Sequence, residues 1–393
     1  QFVAPGGELV LHVRTTRAGV LRVTRRTARG PVRVAAMRVA AGRTLTVRHR
    51  VRSGNPVVMD MSLDGGPPRV VVVPVRPVNM VAVGDISPGS AISMLRSRGA
   101  AWQWEAVGPW LRQQDLAVGN LETAIGTGGR RWPGKAFNFI APPDAVRAAA
   151  RIGGIDAVSL ANNHALDYGR STFLGGIRTL DGAGVGHFGG GADLDRALEP
   201  LIVERGGLRI AFVGFNDIPP ADFWAGAGRA GNAPANPEAV RTAIRRASAR
   251  ADVVVAYFHW GIEYERAPNG RQRALASTAF ASGADIVLGG HPHVLQPVER
   301  RGTRLTAWSL GNFLFSPGKP PGTYSGALTM QVDATGVRGW RMHPVRIIDT
   351  RPVLVGGAPG TPPAAAPRRT GTDGFGRPGR DVLPPRDAPD GVG

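Results

Sequence analysis

Residues 1–77 contain short apolar runs in which hydrophobic and polar positions alternate, and Gly, Pro and Arg separate the runs. Alternation with a period of two is typical of strands that bury one face, so this segment predicts a small antiparallel β-sandwich. The pair Asp64-Gly65 precedes the last run and is a strong turn signal. We therefore interpret residues 1–77 as a β-sandwich-like accessory domain. The predicted strands cover residues 9–13, 20–23, 32–34, 45–51, 57–61 and 70–75.

The pattern changes at about residue 78, where apolar runs begin to alternate with loops and helical stretches. Strands that alternate with helices indicate a layered α/β fold, and we predict one such domain over residues 78–350. From about residue 351 the chain is rich in Pro, Gly, Ala and Arg and has few large apolar residues to bury. We therefore predict a disordered tail over residues 351–393. The clearest strands of the α/β domain are predicted at residues 80–83, 157–160, 210–215, 253–258 and 286–288.

The composition is that of a globular protein: 42% of the 393 residues are hydrophobic and 20% are charged. A chain of this length can bury the cores of more than one domain. No apolar run approaches the roughly 18 to 20 residues that a membrane-spanning helix needs, so we predict no transmembrane segment. The chain begins at Gln1, and either a cleaved secretion signal or a truncation accounts for the missing initiator methionine.

The formal net charge of +19 comes almost entirely from arginine, because Lys135 and Lys319 are the only lysines. A charge of this size favours polyanionic partners such as an acidic polymer. The sequence has no block of five consecutive basic residues and no basic stripe interleaved with aromatic residues, which disfavours nucleic acid as the partner. There are no cysteines, so disulfides and thiolate ligands are excluded. Any metal ion must be bound by nitrogen and oxygen.

Side chains that can bind metals recur at the points where the apolar runs stop. Loops beyond the carboxyl ends of strands are where α/β folds gather their sites. A set of carboxylate, amide and imidazole ligands suits Mn, Fe or Zn, and two such ions roughly 3.5 to 4 Å apart could activate a water molecule. The candidate residues are Asp85, Asn120, Glu122, Asn162, Asn163, His164, His259, Glu263, His291 and His293.

Single positions in this set also have structural interpretations. Asp85 alone could cap a helix or stabilise a turn, and Glu122 could be a solvated acid at a helix start. His291 and His293 are different, because two imidazoles one residue apart in a Gly-rich turn favour chelation. We interpret His187, in a separate Gly-rich stretch, as structural.

Six motifs occur in order along the chain: GD, GNLE, SLANNHALDYG, HWGIEY, GGHPHVLQPVE and SLGNFLF. The series resembles the CapA family of poly-γ-glutamate capsule synthesis proteins, a branch of the calcineurin-like metallophosphoesterases, and it covers residues 79–347. The GHPH and NNH elements resemble the phosphoesterase patterns G-H-x-H and G-N-H-[DE]. The elements NLE, HWG and SLGNF are similar to those of the CapA branch. The resemblance implies a calcineurin-like fold of layered β-sheets and helices.

The resemblance also implies a ligand set for two divalent metal ions. The implied ligands are Asn163, His259 and His291 on one ion and Asp85 and His293 on the other, with Glu122 as the bridge. Two positions depart from the phosphoesterase pattern. Ser87 stands where those enzymes have a histidine two residues after the first aspartate, and Glu122 replaces their second aspartate.

Further roles follow from the same resemblance. His164 is implied to be the catalytic residue that protonates the leaving group or stabilises the transition state. The residues implied to line the site are Asn120, Asn162, Trp260, Glu263 and Asn312.

The function implied by the resemblance is that of a metal-dependent hydrolase-type protein in the biosynthesis of a poly-γ-glutamate capsule or another cell-envelope polymer. We expect an acidic polymer as substrate, membrane-bound synthases as partners and an extracytoplasmic or envelope-associated location. Two alternatives remain open: a general binuclear-metal phosphoesterase that acts on a phosphate-containing substrate, and a non-catalytic envelope factor that binds or assembles the polymer.

Overall fold

The structure is a computed structural model that describes residues 8–27, 30–50, 57–73, 77–316, 318 and 320–355. The first described strands are β1 (Glu8–Arg14), β2 (Gly19–Thr27), β3 (Gly30–Val39), β4 (Thr44–Arg50), β5 (Val57–Leu63) and β6 (Arg69–Val73). Strands β1 and β4 pair antiparallel, and a second antiparallel sheet has the order β3-β2-β5-β6. Residues 51, 74 and 75, which were predicted as strand ends, lie outside the described residues.

These two sheets share one hydrophobic core, as a β-sandwich requires. Leu9 and Val47 come from the first pair of strands, and Leu21, Val23 and Met59 come from the second sheet. The predicted turn is present after β5: Asp64 and Gly65 have φ angles of 51° and 75°. Two consecutive residues in the left-handed region favour this dipeptide, because Asp and Gly tolerate that conformation. The all-β character predicted for this segment is confirmed.

An eight-stranded mixed sheet opens the α/β part of the chain. Its strands are β7 (Val78–Ile86), β8 (Leu116–Leu121), β11 (Ala157–Ser159), β12 (Gly186–Phe188), β21 (Asn312–Leu314), β22 (Tyr324–Asp333), β23 (Gly336–Ile348) and β24 (Arg351–Leu354). The order is β12-β11-β8-β7-β22-β23-β24, with β21 beside β7. Strands β7, β8, β11 and β12 run parallel, whereas β22, β23 and β24 continue the sheet antiparallel.

A six-stranded sheet forms the second layer of strands. It contains β14 (Leu201–Arg205), β15 (Leu208–Asn216), β17 (Val253–His259), β18 (Ile286–Gly290), β19 (Val298–Arg301) and β20 (Arg304–Ala307). The order is β14-β15-β17-β18-β20-β19, and the centre of the sheet is parallel. Two short pairs complete the described strands: β9 (Ala124–Ile125) with β10 (Ile140–Ala141), and β13 (Gly190–Gly191) with β16 (Gly231–Asn232).

Helices cover the outer faces of both sheets. They are α1 (Ile92–Arg98), α2 (Gly108–Leu111), α3 (Pro143–Ala148), α4 (Gly169–Ala183), α5 (Leu194–Ala197), α6 (Pro237–Ser248) and α7 (Gly270–Ser282), with short helical segments at Pro88–Ala91, Ala149–Gly153 and Ala221–Phe223. None of the helices in the described residues is long and apolar enough to cross a membrane.

Successive residues along the central strands face alternately the core between the two sheets and a core under the helices. In β7, Met80 faces the core between the two sheets and Val81 faces the core under the first group of helices. In β17, Val255 and Tyr257 face the core between the sheets, whereas Phe258 faces α6 and α7. Both strands are buried on two faces, which explains why their sequences are continuously apolar. The predicted layered α/β fold class is confirmed.

The carboxyl-terminal end of the fold differs from the prediction. The disordered tail was predicted to begin at residue 351, but Arg351–Leu354 form β24 and pair antiparallel with β23. Val353 lies opposite Arg346 in this pairing, and backbone pairing extends the sheet even though the segment has few large apolar side chains. Residues 356–393, the rest of the predicted tail, lie outside the described residues.

Candidate metal centre

Asp85 lies at the carboxyl end of β7 and is fully buried. Its Oδ1 accepts a hydrogen bond from Asn120 Nδ2 at 2.9 Å, and its Oδ2 accepts one from the His291 backbone at 3.1 Å. Glycine is required on both sides of this carboxylate, because a Cβ on Gly290 would lie 2.4 Å from Asp85 Oδ1 and one on Gly84 would lie 1.8 Å from the Gly311 carbonyl oxygen. The GD and GGH motifs therefore allow two sheets to bring their loops into contact.

Glu122 directly follows β8 and its side chain is fully buried. Among the described residues neither Oε1 nor Oε2 has a hydrogen-bond partner. Nε2 of His259 lies 3.3 Å from Oε1 in an ion-pair contact. A buried carboxylate without hydrogen bonds is costly, since the charged form has lost its water, and such groups are normally paired or bound to metal ions. Glu122 is thus suited to bind cations through both oxygens.

His259 ends β17 and faces the same space as Glu122. Its Nε2 lies 2.8 Å from Asn163 Oδ1, and its Nδ1 lies 3.2 Å from Asn120 Nδ2 and 4.0 Å from Asp85 Oδ1. His259 therefore contacts residues that lie more than 90 positions before it in the chain. The arrangement joins the carboxyl ends of the two sheets.

His291 and His293 follow β18 in a strained turn. Their φ angles are 89° and 58°, a region that residues other than glycine enter rarely and at a cost of about 1–3 kcal/mol each. Nδ1 of His291 is buried and has no hydrogen-bond partner in the described part of the chain. His293 Nδ1 lies 2.8 Å from Asn312 Oδ1 and 3.4 Å from Asp85 Oδ2. The turn presents two imidazoles to the centre, and Asn312 orients the second of them.

The pKa values show how strongly these groups interact. Burial raises the pKa of Asp85, but hydrogen bonding to His293 and the charges of His259 and His293 lower it to about 2. Burial lowers the pKa of His293, but Glu122 and Asp85 raise it to about 9. Burial and the neighbouring imidazoles hold the pKa of His291 well below its ordinary value. A neutral His291 presents a free nitrogen lone pair, which is the form that binds metals.

Two groups of buried side chains bring their ligand atoms within 4.8 Å of one another: Asp85, Glu122 and His259, and Glu122, His291 and His293. Glu122 belongs to both groups, as a bridging ligand would. This grouping differs from the implied partition, since His259 joins Asp85 and His291 joins His293. The donors are oxygen and nitrogen only, which fits divalent ions such as Mn, Fe or Zn. These buried clusters fit metal binding.

Asn120 and Asn162 support the centre through a chain of hydrogen bonds. Asn162 Nδ2 donates to Asn120 Oδ1 at 3.0 Å, and Asn162 Oδ1 accepts from the His164 backbone at 3.0 Å. Asn120 in turn donates to Asp85. Both amides are fully buried, so they hold the loops after β7, β8 and β11 in one arrangement.

His164 lies beside the centre and belongs to a second buried cluster. Its Nδ1 is 2.7 Å from Asp167 Oδ2, and the ring of Phe139 stacks on it with centroids 4.3 Å apart. Lys135 forms an ion pair with Asp167 and lies 3.0 Å from His164 Nδ1. Burial lowers the pKa of Lys135, while the charges of Asp167 and Glu122 raise it.

Lys135 and Asp167 were not among the candidate residues from the sequence. The sequence did contain indications of both residues. Asp167 follows His164 by three positions within SLANNHALDYG, and Lys135 is one of only two lysines.

The remaining predicted residues lie in three different environments. Trp260 was predicted to line the site, but its indole is fully buried against Phe258 and Trp308 and donates to the Trp308 carbonyl at 2.9 Å, so it belongs to the core under α7. Glu263 is exposed, and its charge contributes to raising the pKa of His293. His187 lies apart, 3.3 Å from Asp181 Oδ1.

Comparisons with known proteins place this site in context. Residues 79–317 match the family described as bacterial capsule synthesis protein PGA_cap. The chain is 30% identical to the PGA biosynthesis protein CapA of Bacillus subtilis (strain 168), over 70% of this chain and 72% of that protein. It is 32% identical to the capsule biosynthesis protein CapA of Bacillus anthracis, over 61% of this chain and 60% of that protein. Among solved structures, a 5'-nucleotidase precursor from Thermus thermophilus is 15% identical, with a TM-score of 0.40 over 70% of this chain and 54% of that one.

Proposed function

The chain belongs to the bacterial capsule synthesis protein family, and on this premise we propose that it is a metal-dependent hydrolase that cleaves an acidic glutamate polymer during cell-envelope polymer synthesis. The relatives in Bacillus are named for PGA biosynthesis and capsule biosynthesis, which supports this class of substrate. We expect the protein to act at the cell envelope beside the enzymes that make the polymer.

The observation that carries the proposal is the state of Glu122. Both oxygens of this buried carboxylate lack hydrogen-bond partners among the described residues, and both candidate ligand groups contain it. A structural carboxylate would be hydrogen-bonded in such a place. A carboxylate that bridges two divalent ions has no such need, because the ions replace the missing partners.

Two ions at this centre would polarise the scissile carbonyl and lower the pKa of a water molecule so that it can attack. The residues of the chain supply the remaining steps. As the water oxygen adds to the amide carbon, the water gives up a proton to Nε2 of His164, and His164 delivers that proton to the departing nitrogen as the carbon–nitrogen bond breaks. The products are one carboxylate and one protonated amine.

The overall charge favours an acidic substrate. A formal net charge of +19 raises the local concentration of a polyanion and speeds its association. Binding of such a polymer is expected to weaken as salt is added, because counterions screen these charges.

The proposal is tested by assaying the full chain with added Mn²⁺ on two substrates, poly-γ-glutamate and a chromogenic phosphodiester. We expect new amino groups and shorter chains from the polymer, and no such products from a Glu122→Gln variant. Cleavage of the phosphodiester alone would instead indicate a general phosphoesterase. Metal binding without cleavage of either substrate would indicate a non-catalytic assembly factor.

A further inference from the structure

Lys135 is a buried lysine outside the candidate ligand set. It lies between β9 and β10, in a segment that spans residues 126–139, and its side chain is only 15% exposed. Its ammonium group donates to the carboxylate of Asp167 and to the backbone carbonyl of Asn163, and lies 3.0 Å from His164 Nδ1. A buried ammonium group is costly unless it is paired and hydrogen-bonded, and the contacts with Asp167 and Asn163 meet this requirement.

The contacts of Asp167 bear on which ring nitrogen of His164 carries the hydrogen. Asp167 Oδ1 accepts from Lys135, and Asp167 Oδ2 accepts from the Phe139 backbone at 2.7 Å. The same Oδ2 lies 2.7 Å from His164 Nδ1. A carboxylate accepts hydrogen bonds and an ammonium group donates them, and Lys135 Nζ lies 3.0 Å from the same Nδ1. Lys135 is engaged by Asp167 Oδ1 and by the Asn163 carbonyl, so the contact with Oδ2 favours the tautomer that carries its hydrogen on Nδ1. Nε2 is left as the nitrogen that can exchange a proton with a substrate.

The same segment also fixes the plane of the imidazole. The ring of Phe139 lies nearly parallel to the ring of His164, at 25° with centroids 4.3 Å apart. The segment is braced locally, since Asn138 Nδ2 donates to the Lys135 carbonyl at 3.0 Å and Asn138 Oδ1 accepts from the Trp132 backbone at 3.0 Å. Lys135 is thus held on one side by its own loop and on the other by the loop of His164.

We propose that Lys135 is a positioning residue that fixes Asp167, and through it the His164 imidazole, while also holding the backbone of the candidate ligand Asn163. The inference deepens the proposed function, because it takes the role of His164 in that reaction as its starting point. A compact ammonium group suits the task better than a guanidinium group, since its three hydrogens can serve acceptors in several directions from one point. The Lys135 side chain therefore links His164, the proposed proton donor, to the backbone of the candidate ligand Asn163.

The test compares Lys135→Met, which keeps the chain length and removes the charge, with Arg131→Met as a control on the same segment. The first readout is the ¹⁵N spectrum of the imidazole rings at pH 8, in which a His164→Gln variant identifies the His164 signals. We expect wild type and Arg131→Met to show the hydrogen on Nδ1 and Lys135→Met to show both tautomers. The second readout is turnover at saturating Mn²⁺. We expect kcat of Lys135→Met to fall about 10- to 100-fold relative to wild type, with little change in KM.

Unchanged His164 signals together with unchanged kcat in a folded Lys135→Met variant would overturn the inference. If that variant does not fold, Lys135→Gln, which keeps a polar head group and removes the charge, replaces it in both readouts. Unchanged His164 signals together with unchanged kcat in Lys135→Gln would equally overturn the inference. If wild type cleaves neither substrate, the proposed hydrolase function fails, whereas the imidazole spectrum still decides whether Lys135 positions His164.

Discussion

Replacing Glu122 by Gln is expected to remove at least one of two metal ions per chain and to lower hydrolysis by about 10³-fold or more. The substitution keeps the shape of the side chain and removes its charge. Glu122 is the residue that both candidate ligand groups share, so no other single ligand affects both. An amide also offers one acceptor oxygen instead of two. Metal content by elemental analysis and the initial rate on the cleaved substrate measure the two effects.

Glu105→Gln is the matched control for this prediction, because Glu105 is exposed and lies outside the centre. It should retain the metal content and the rate of wild type. A Glu122→Gln variant with the full metal content would mean that this carboxylate does not bridge the ions. The free energy of unfolding should also be compared, since removing a buried charge that lacks hydrogen bonds can stabilise the metal-free fold.

Replacing His164 by Gln is expected to leave the metal content unchanged and to lower kcat by about 10²- to 10⁴-fold, the range usual for loss of general acid–base catalysis. The reason is that His164 is absent from both candidate ligand groups and contacts Asp167 and Lys135 instead. Rates at saturating substrate and metal analysis of the same preparation separate the two effects. A substrate with a better leaving group should lose less, because it needs protonation less.

His187→Gln serves as the control for the His164 variant. His187 lies on β12 and contacts Asp181 on α4 rather than the centre. Loss of metal in His164→Gln would show that His164 is a ligand. An unchanged kcat would show that His164 takes no part in the reaction.

The pattern of apolar residues in the sequence was sufficient to predict the central strands that are buried on both faces. Strands β7, β17 and β18 are continuously apolar because helices cover one face of each sheet and the other sheet covers the second face. The hairpin of β22 and β23 was not predicted. Strand β23 mixes Arg, Gly, Trp and Pro, and its exposed positions do not alternate regularly with buried ones. Pairing with β22 and β24, not side-chain pattern, makes it a strand.

Most side chains of the candidate centre could be predicted from the sequence to lie close together, because strand ends can be located from the pattern alone. Asp85, Glu122 and His291 each follow an apolar run of the sequence, and parallel strands bring their carboxyl ends to one edge. The partners of each ligand could not be predicted in this way. Trp260 follows His259 directly, yet the alternation of the strand turns it to the opposite side, into the core against Phe258 and Trp308.

Lys135 was missed for a related physical reason. It lies in an irregular segment with no periodicity, and its contacts with Asp167 and Asn163 join positions about 30 residues apart. Only the folded chain shows that the ammonium group is buried beside the loop that carries His164.

Electron paramagnetic resonance of the full chain loaded with Mn²⁺, with elemental analysis of the same sample, tests whether two metal ions share Glu122. Two ions roughly 3.5 to 4 Å apart interact magnetically. We expect about two Mn²⁺ per chain and the spectrum of a coupled pair in wild type, and an isolated ion or none in Glu122→Gln. Only isolated Mn²⁺ in wild type, or no ion above background, would contradict this expectation.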